Sequence, residues 1–244
     1  MPTFYHGKGF RILVDAYDLS TYFSEATASY EIETAETTTF GNTSKSYVVG
    51  LADGTVSLSG FFDSTGAGSI EQVLQARRGV EEGTVLTLFP AGHATLGRRA
   101  DLFVAHETSV ETAGSIGDMV SLNADFQGSG TAHPGTILAP LAEQAAAVTH
   151  TAVDNGASTA NGLVANLHVT ANARAGASTF VVQHSVDAVT WVDLATFTSV
   201  AAGAITAQSV RTTGTVNRHL RAVSTGTGNA TYVITAARVA ASLS

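Results

Sequence analysis

Several segments of the chain alternate apolar and polar residues with a period of two, the pattern of a strand with one face buried and one face wet. Gly117–Gln127 is the clearest case. Val120, Leu122, Ala124 and Phe126 fall on one side, and Ser121, Asn123, Asp125 and Gln127 on the other. Thr55–Phe62 sets Val56, Leu58 and Phe62 against Thr55, Ser57 and Ser59, and Tyr30–Thr37 sets Tyr30, Ile32 and Thr34 against Glu31 and Glu33. Thr84–Phe89 and Asp101–Glu111 complete a predicted sheet. Asp53-Gly54 reads as a hairpin turn, since both residues tolerate positive φ. The segment from Thr37 to Gly50 reads as a long polar connection with Phe40, Tyr47, Val48 and Val49 as its apolar points.

One segment changes period. Ile70, Val73 and Leu74 form a helical stripe, Ser69 and Gln72 have capping-box spacing, and Gly79 is a stop signal, which predicts a helix from Ile70 to about Arg78 with Arg77 and Arg78 in its last turn. One helix on one face of an antiparallel sheet is the expected arrangement.

The pattern breaks at residues 128–135, and Ala142–Ala147 carries no periodicity. A tail of short Val/Thr/Ala-rich strands follows: Leu163–Thr170, Thr179–His184, Thr190–Phe197, Ile205–Arg211, His219–Thr225 and Thr231–Val239. Strands at this spacing predict a β-sandwich of immunoglobulin-like or jelly-roll type, with Trp191 as its core anchor. The organisation expected is mainly β: residues 1–140 as a sandwich or barrel with one flanking helix, 141–150 as a linker, and 151–244 as a second sandwich.

Composition narrows the function. Of 244 residues, 44% are hydrophobic and only 13% charged, so the surface is largely Thr, Ser, Asn, Gly and Ala, a texture suited to packing against neighbours. There are no cysteines, which excludes disulfides and thiolate chemistry. The opening residues lack a signal peptide's apolar run, and no stretch approaches the roughly 20 apolar residues of a membrane span, so synthesis in a cytoplasm without membrane insertion is expected. Charge is uneven: residues 1–140 hold seven Lys/Arg against sixteen Asp/Glu, and residues 141–244 hold five against four. Gripping DNA needs the opposite sign, because affinity comes from cations that displace phosphate counterions.

Candidate chemistry fails on spacing. Gly92–Arg99 lacks the Lys-Ser/Thr pair of a phosphate loop, and His106-Glu107 has no second His at zinc-protease spacing. The eight histidines are scattered singly, and no nucleophile elbow is present. The expectation is a protein with no enzymatic activity, no catalytic residues, no metal site and no cofactor.

Residues 9–140 resemble the major tail (tail-tube) proteins of long-tailed phages. The resemblance rests on Ala35-Glu36-Thr37-Thr38-Thr39-Phe40-Gly41-Asn42, then Lys45 to Phe62 with its Gly50-Leu51-Ala52-Asp53-Gly54 pattern and alternating strand, after an early Asp15/Asp18 segment. It implies a structural virion protein whose rings, usually hexameric, stack into a tail tube that conducts DNA into the host. It also implies a place in the phage tail after synthesis in the host cytoplasm. Implied partners are further copies of the chain, a tape-measure protein, and tail terminator or tail tip proteins, with DNA passing transiently and non-specifically through the lumen.

Within that resemblance Glu31, Glu33, Ser57, Ser59, Asn123, Asp125 and Gln127 are expected to line the lumen. Thr39, Phe40, Tyr47, Val48 and Val49 are expected in an inter-subunit loop. The second sandwich resembles external decoration domains, so truncation near Leu141 is expected to leave thinner tubes. The alternative is a virion decoration or adhesin protein whose C-terminal sandwich binds cell-surface carbohydrate.

Overall fold

The computed structural model describes residues 4–66, 68–130 and 132–240. Strands account for nearly all of its regular structure. The first part contains β1 (Arg11–Val14), β2 (Tyr17–Asp18), β3 (Phe23–Glu36), β4 (Tyr47–Phe61), α1 (Ile70–Gln75), β5 (Thr84–Phe89), β6 (Arg99–Ala113) and β7 (Ser121–Gly128). It continues with β8 (His133–Gln144), β9 (Val148–Thr149), β10 (Val153–Asp154), β11 (Leu163–Asn172) and β12 (Phe180–Ser185). The last elements are β13 (Val192–Thr196), β14 (Thr206–Thr212), β15 (His219–Ser224) and β16 (Ala230–Arg238).

Eleven strands form one antiparallel sheet. Its first limb runs β3-β4-β7-β6-β5-β1-β2, and from β6 a second limb runs β8-β16-β11-β14. A five-stranded sheet of β9, β10, β15, β12 and β13 faces the second limb. The first limb curls around its own core. Ile12, Val14, Leu86 and Leu88 from β1 and β5 meet Val56, Leu58, Leu122, Ala124 and Phe126 from β4 and β7, with Ile70, Val73 and Leu74 of α1 packed among them. β4–β7 and β1–β5 are therefore opposite walls around one core.

The second core lies between the two sheets of the C-terminal sandwich. It contains Leu163, Ala165, Leu167 and Val169 of β11, Tyr232 and Ile234 of β16, and Phe180, Val182, Leu220 and Ala222 of the facing sheet. The other face of β11 and β16 is also dry. Val164, Val233 and Ala237 pack on Leu13, Phe89, Ala100 and Leu102 of the first limb, and Ile137 of β8 joins them. The sandwich is thus docked on the outer surface of the β1–β5 wall.

Several sequence expectations change. The residues expected as a linker carry the end of β8, whose Ala142, Glu143 and Gln144 pair with β16, and then β9, which pairs with β15. Within a stretch that reads as structureless by composition, residues 142–144 are fixed by the strand beside them, and the Ala run 145–147 forms the short connection to β9. Asp53-Gly54 is not a turn but the interior of β4, paired with Glu31 and Tyr30. The helix is shorter than expected: α1 ends at Gln75, Ser69 makes no side-chain cap hydrogen bond, and the chain leaves through Gly79 at φ 73°. Trp191 is not a core anchor. It is partly exposed, with the Arg221 guanidinium 4.1 Å from its ring centroid, while Phe180, Phe197 and Tyr232 fill the sandwich core.

Candidate functional site: an acidic sheet face and an exposed hairpin arm

Register places most of the expected lumen residues on one surface. Ser57 pairs with Asp125, Ser59 with Asn123, and Thr55 with Gln127 across β4 and β7, so these side chains share the outward face. Glu31 pairs with Asp53 on the same face. The Gln127 amide donates to the Asp53 carboxylate across the strands. Glu33 lies two residues further along β3, at the register shift between Ile32 and Thr34, on the protruding part of the hairpin.

Besides Thr55 and Asp53, further members of this face were not foreseen. Glu25 and Thr27 reach it from β3, opposite Ser59 and Ser57, and Ser109 and Glu111 reach it from β6, opposite Asp125 and Asn123. In β6 the irregularity between Glu107 and Ser109 shifts the parity of the strand, which hides its outward residues from a simple period-two reading.

Asp125 is the centre of the surface. Hydrogen bonds from the hydroxyls of Ser57 and Ser109 hold its carboxyl below the usual range, and Ser109 Oγ donates to Oδ2 at 2.7 Å. Hydroxyls stabilise the carboxylate without neutralising it, so the face keeps its negative charge. None of the outward residues paired across these strands is Lys or Arg.

Glu107 points the other way, inward beside Phe126. Burial pushes its carboxyl up to about 7, against the opposing pull of Arg78, and its Oε2 has no hydrogen-bond partner among the described residues. It lines a cleft of about 310 Å3 with Gln75 and Arg78. His106 is turned outward and meets the Val80 carbonyl at 3.2 Å. The pair is split across the strand, so it forms no joint site. Among the described residues no group of three or more His, Asp or Glu could hold a metal ion.

The expected inter-subunit loop is partly strand. β3 and β4 stay paired to Glu36↔Tyr47, so Tyr47, Val48 and Val49 stand on a two-stranded ribbon, and only residues 37–46 form its tip, with Thr39 and Phe40. Alternation through Tyr30–Thr37 foretold the first strand of this ribbon. The Gly- and Val-rich return strand hid the second. β7 pairs with β4 only from Thr55 onward, which leaves the ribbon without a third strand. Its apolar side chains are consequently bare: Leu51 is 77% exposed, Val49 63% and Ile32 52%.

A second apolar cluster lies at the far end of the same strands. The β6–β7 turn sits beside Phe62, whose N–H donates to the Val120 carbonyl, and it presents Ile116 and Met119 to solvent near exposed Phe61. From Tyr47 to Phe61 the strand spans about 45 Å at its usual rise. The molecule therefore carries different exposed apolar clusters at its two ends.

No protein-family model matches the sequence, and no curated protein matches it. Among solved structures the fold is similar to a chain from the virion of a native gene transfer agent particle, at 15% identity and TM-score 0.44, over 52% of this chain and 95% of that one. It is also similar to a chain from the tail of an empty gene transfer agent particle with C6 symmetry, at 16% identity and TM-score 0.38, over 52% of this chain and 96% of that one. A third likeness is to the SPP1 Dit protein, from the hub adsorption apparatus of phages that infect Gram-positive hosts. It has 15% identity and TM-score 0.37, over 95% of this chain and 99% of that one.

Proposed function

We propose that this protein is a structural subunit of a phage tail whose copies stack into a tube, with the acidic face of β3, β4, β7 and β6 turned to the lumen. The observation that carries the reading is the placement of that face. It is a broad surface of hydroxyls and carboxylates without a paired Lys or Arg, and the C-terminal sandwich is docked on the opposite wall of the same core. In a ring, that geometry puts carboxylates inside and the sandwich outside. A negatively charged, hydroxyl-rich lining repels phosphate and lets DNA slide, whereas a cationic lining would hold it.

The two ends support stacking. Unlike apolar patches at opposite ends of a molecule suit a head-to-tail contact, which extends into an open stack when the rotation between copies does not close it into a ring. The ribbon is the natural reach between successive copies, with Thr39, Phe40, Tyr47, Val48 and Val49 at the contact. Electron microscopy of concentrated, purified full-length protein tests the reading. Hollow tubes of variable length are expected, and discrete caps or trimers alone would instead favour a decoration protein.

A further inference from the structure

The curled limb does not close. Among the described strands β3 pairs only with β4, so its other edge is free, and Phe10, Arg11 and Ile12 lie across a seam from it, with Ser20 accepting from the Ile12 N–H on that side. Two adjoining clefts follow this seam, of about 450 and 290 Å3, with Phe10 and Ala26 common to both. The first extends from Gly7 and Lys8 to Phe23, and the second to Tyr30 and Leu88. Together they run along β3 from Phe23 to Tyr30, about 23 Å at strand rise.

We infer that this seam receives the hairpin arm of a second copy of the chain. The inference rests on the stacking reading and names the surface that accepts the arm. Length is the first argument. Beyond Tyr30, whose ring packs on Phe103, the unsupported ribbon runs from Glu31 to Glu36 on β3, about 17 Å, and fits within the groove.

Facing is the second argument. The pairs Ile32↔Ala52, Thr34↔Val49 and Glu36↔Tyr47 continue the face that is buried lower down at Val56 and Leu58, and on the ribbon Ile32, Val49 and Tyr47 are more than half exposed among the described residues. The seam offers what that face lacks, since Phe10, Ala26 and Leu88 are margins of a core left open at its edge.

Charge is the third. Lys8, Arg11 and Arg99 line the seam against Glu25 and Asp101, and Arg99 already pairs with Asp101 at 2.8 Å. Lys8 and Arg11, at the end away from the molecule's own arm, are left to meet an incoming anion. The ribbon carries Glu31 and Asp53 on the face opposite Ile32, with Glu33 and Glu36, against the single cation Lys45, which pairs with Glu36 at 3.1 Å. Seated apolar side inward, the arm turns Glu31 and Asp53 outward, as Arg11 is turned by its neighbour Ile12 in the core. An arm entering from the Lys8 end continues the line of β3 from one copy into the next.

Charge exchange tests this, read by sedimentation velocity and negative-stain microscopy of the full chain. Lys8→Glu with Arg11→Glu should raise the concentration needed for half-maximal association at least tenfold. Glu31→Lys with Glu33→Lys, both on exposed ribbon, should do the same alone. Combining the four substitutions in one chain should recover most of the association. If both pairs of reversals leave association unchanged, or the combination recovers none, the seam is not the receiving surface, although tubes formed by the unmodified chain would still uphold the tail reading. Recovery with closed rings but no tubes would uphold the seam and overturn the tube. If the unmodified chain does not associate at all, both fail.

Discussion

The Nε2 of His168 lies 2.7 Å from the Oγ1 of Thr87, joining the C-terminal sandwich to the first limb at a point with no solvent access to the imidazole. On its other side Nδ1 is 2.6 Å from the carbonyl of Asp15. A carbonyl can only accept, so Nδ1 carries the proton and Nε2 accepts from the Thr87 hydroxyl. Thr87 in turn accepts from the Asn166 amide at 3.2 Å. Burial pushes the imidazole down to about 4 from its ordinary 6.5, with the Asp15 bond opposing in part.

Unfolding returns His168 to its ordinary affinity for protons, so between about pH 6.5 and 4 the unfolded chain binds more of them. Stability therefore falls as pH drops through that window, by roughly 3 kcal/mol from this group at pH 4. Burial also lowers His93, His133, His150 and His184, which adds to this slope, whereas the raised carboxyls of Glu107 and Asp15 take up protons in the folded chain and oppose it. Comparison with His168→Gln isolates the one group. The variant should be less stable by about 2 kcal/mol at pH 7, and its urea midpoint should fall less than the parent's between pH 7 and 4. Equal slopes would mean that His168 is not a dry, neutral link.

Truncation after Leu141 should not leave a folded first half. It removes β16, the partner of β8, and β11, and so bares the outward sides of Leu13, Phe89, Leu102 and Ile137. At about 1.5–3 kcal/mol for each large apolar side chain, the loss is on the order of 6 kcal/mol or more, comparable with the whole stability of many domains. The fragment should be insoluble, or soluble with dye-binding exposed surface and no near-UV circular dichroism. A soluble fragment that melts cooperatively would show that the shared core is not needed.

Gly54 distinguishes a turn from a close approach. A Cβ there would stand 2.9 Å from the Ala132 Cβ and 3.4 Å from the Phe103 ring, and a Cβ at Gly128 would stand 2.7 Å from the Gly54 carbonyl oxygen. Gly54→Ala should therefore destabilise by about 1–3 kcal/mol through overpacking, read as a lower denaturant midpoint. Were the residue in a hairpin turn, Gly54→Asn would be nearly neutral. In this strand it should cost at least as much as alanine.

Much of the fold was legible because one-sided strands announce themselves. Val56 and Leu58 against Ser57 and Ser59, or Leu122 to Phe126 against Asn123 and Asp125, reveal both the strand and its outward face. Where a strand is dry on both sides, as at Thr84–Phe89 and Leu163–Asn172, the sequence marks the strand and leaves open what covers each face. In β11 the sequence Val164, Asn166, His168 looks like a wet face, yet these side chains are buried, because Leu86 and Thr87 of a distant strand supply hydrogen-bond partners for Asn166 and His168. Period-two alternation reports polarity, and polarity means exposure only when no partner is waiting. The turn expected at Asp53-Gly54 failed: the dipeptide has turn chemistry, but the need for glycine came from Ala132 and Phe103, which no local pattern can foresee.

The acidic face makes a prediction about passage rather than stability. Ser57 is exposed at its centre, paired with Asp125 on one side and Thr27 on the other, and its replacement disturbs no buried contact. Ser57→Arg places one guanidinium per copy on the surface we assign to the lumen and removes one hydroxyl from the Asp125 carboxylate. If DNA passes over this face, tubes of the parent should not retain a short fluorescent DNA duplex at 50 mM salt, because the lining offers phosphate no cation. Tubes of the variant should retain it, and retention should weaken steeply by 200 mM salt as counterions compete, with a slope set by about one phosphate contact per engaged arginine. Ser121→Arg, at the end of β7 near the β6–β7 turn rather than in the middle of the face, serves as a control for added charge alone. Retention by parent tubes, or equal retention by the Ser57 and Ser121 variants, would remove this face from the lumen: a channel centred on Asp125 must respond most strongly to the cation placed beside it.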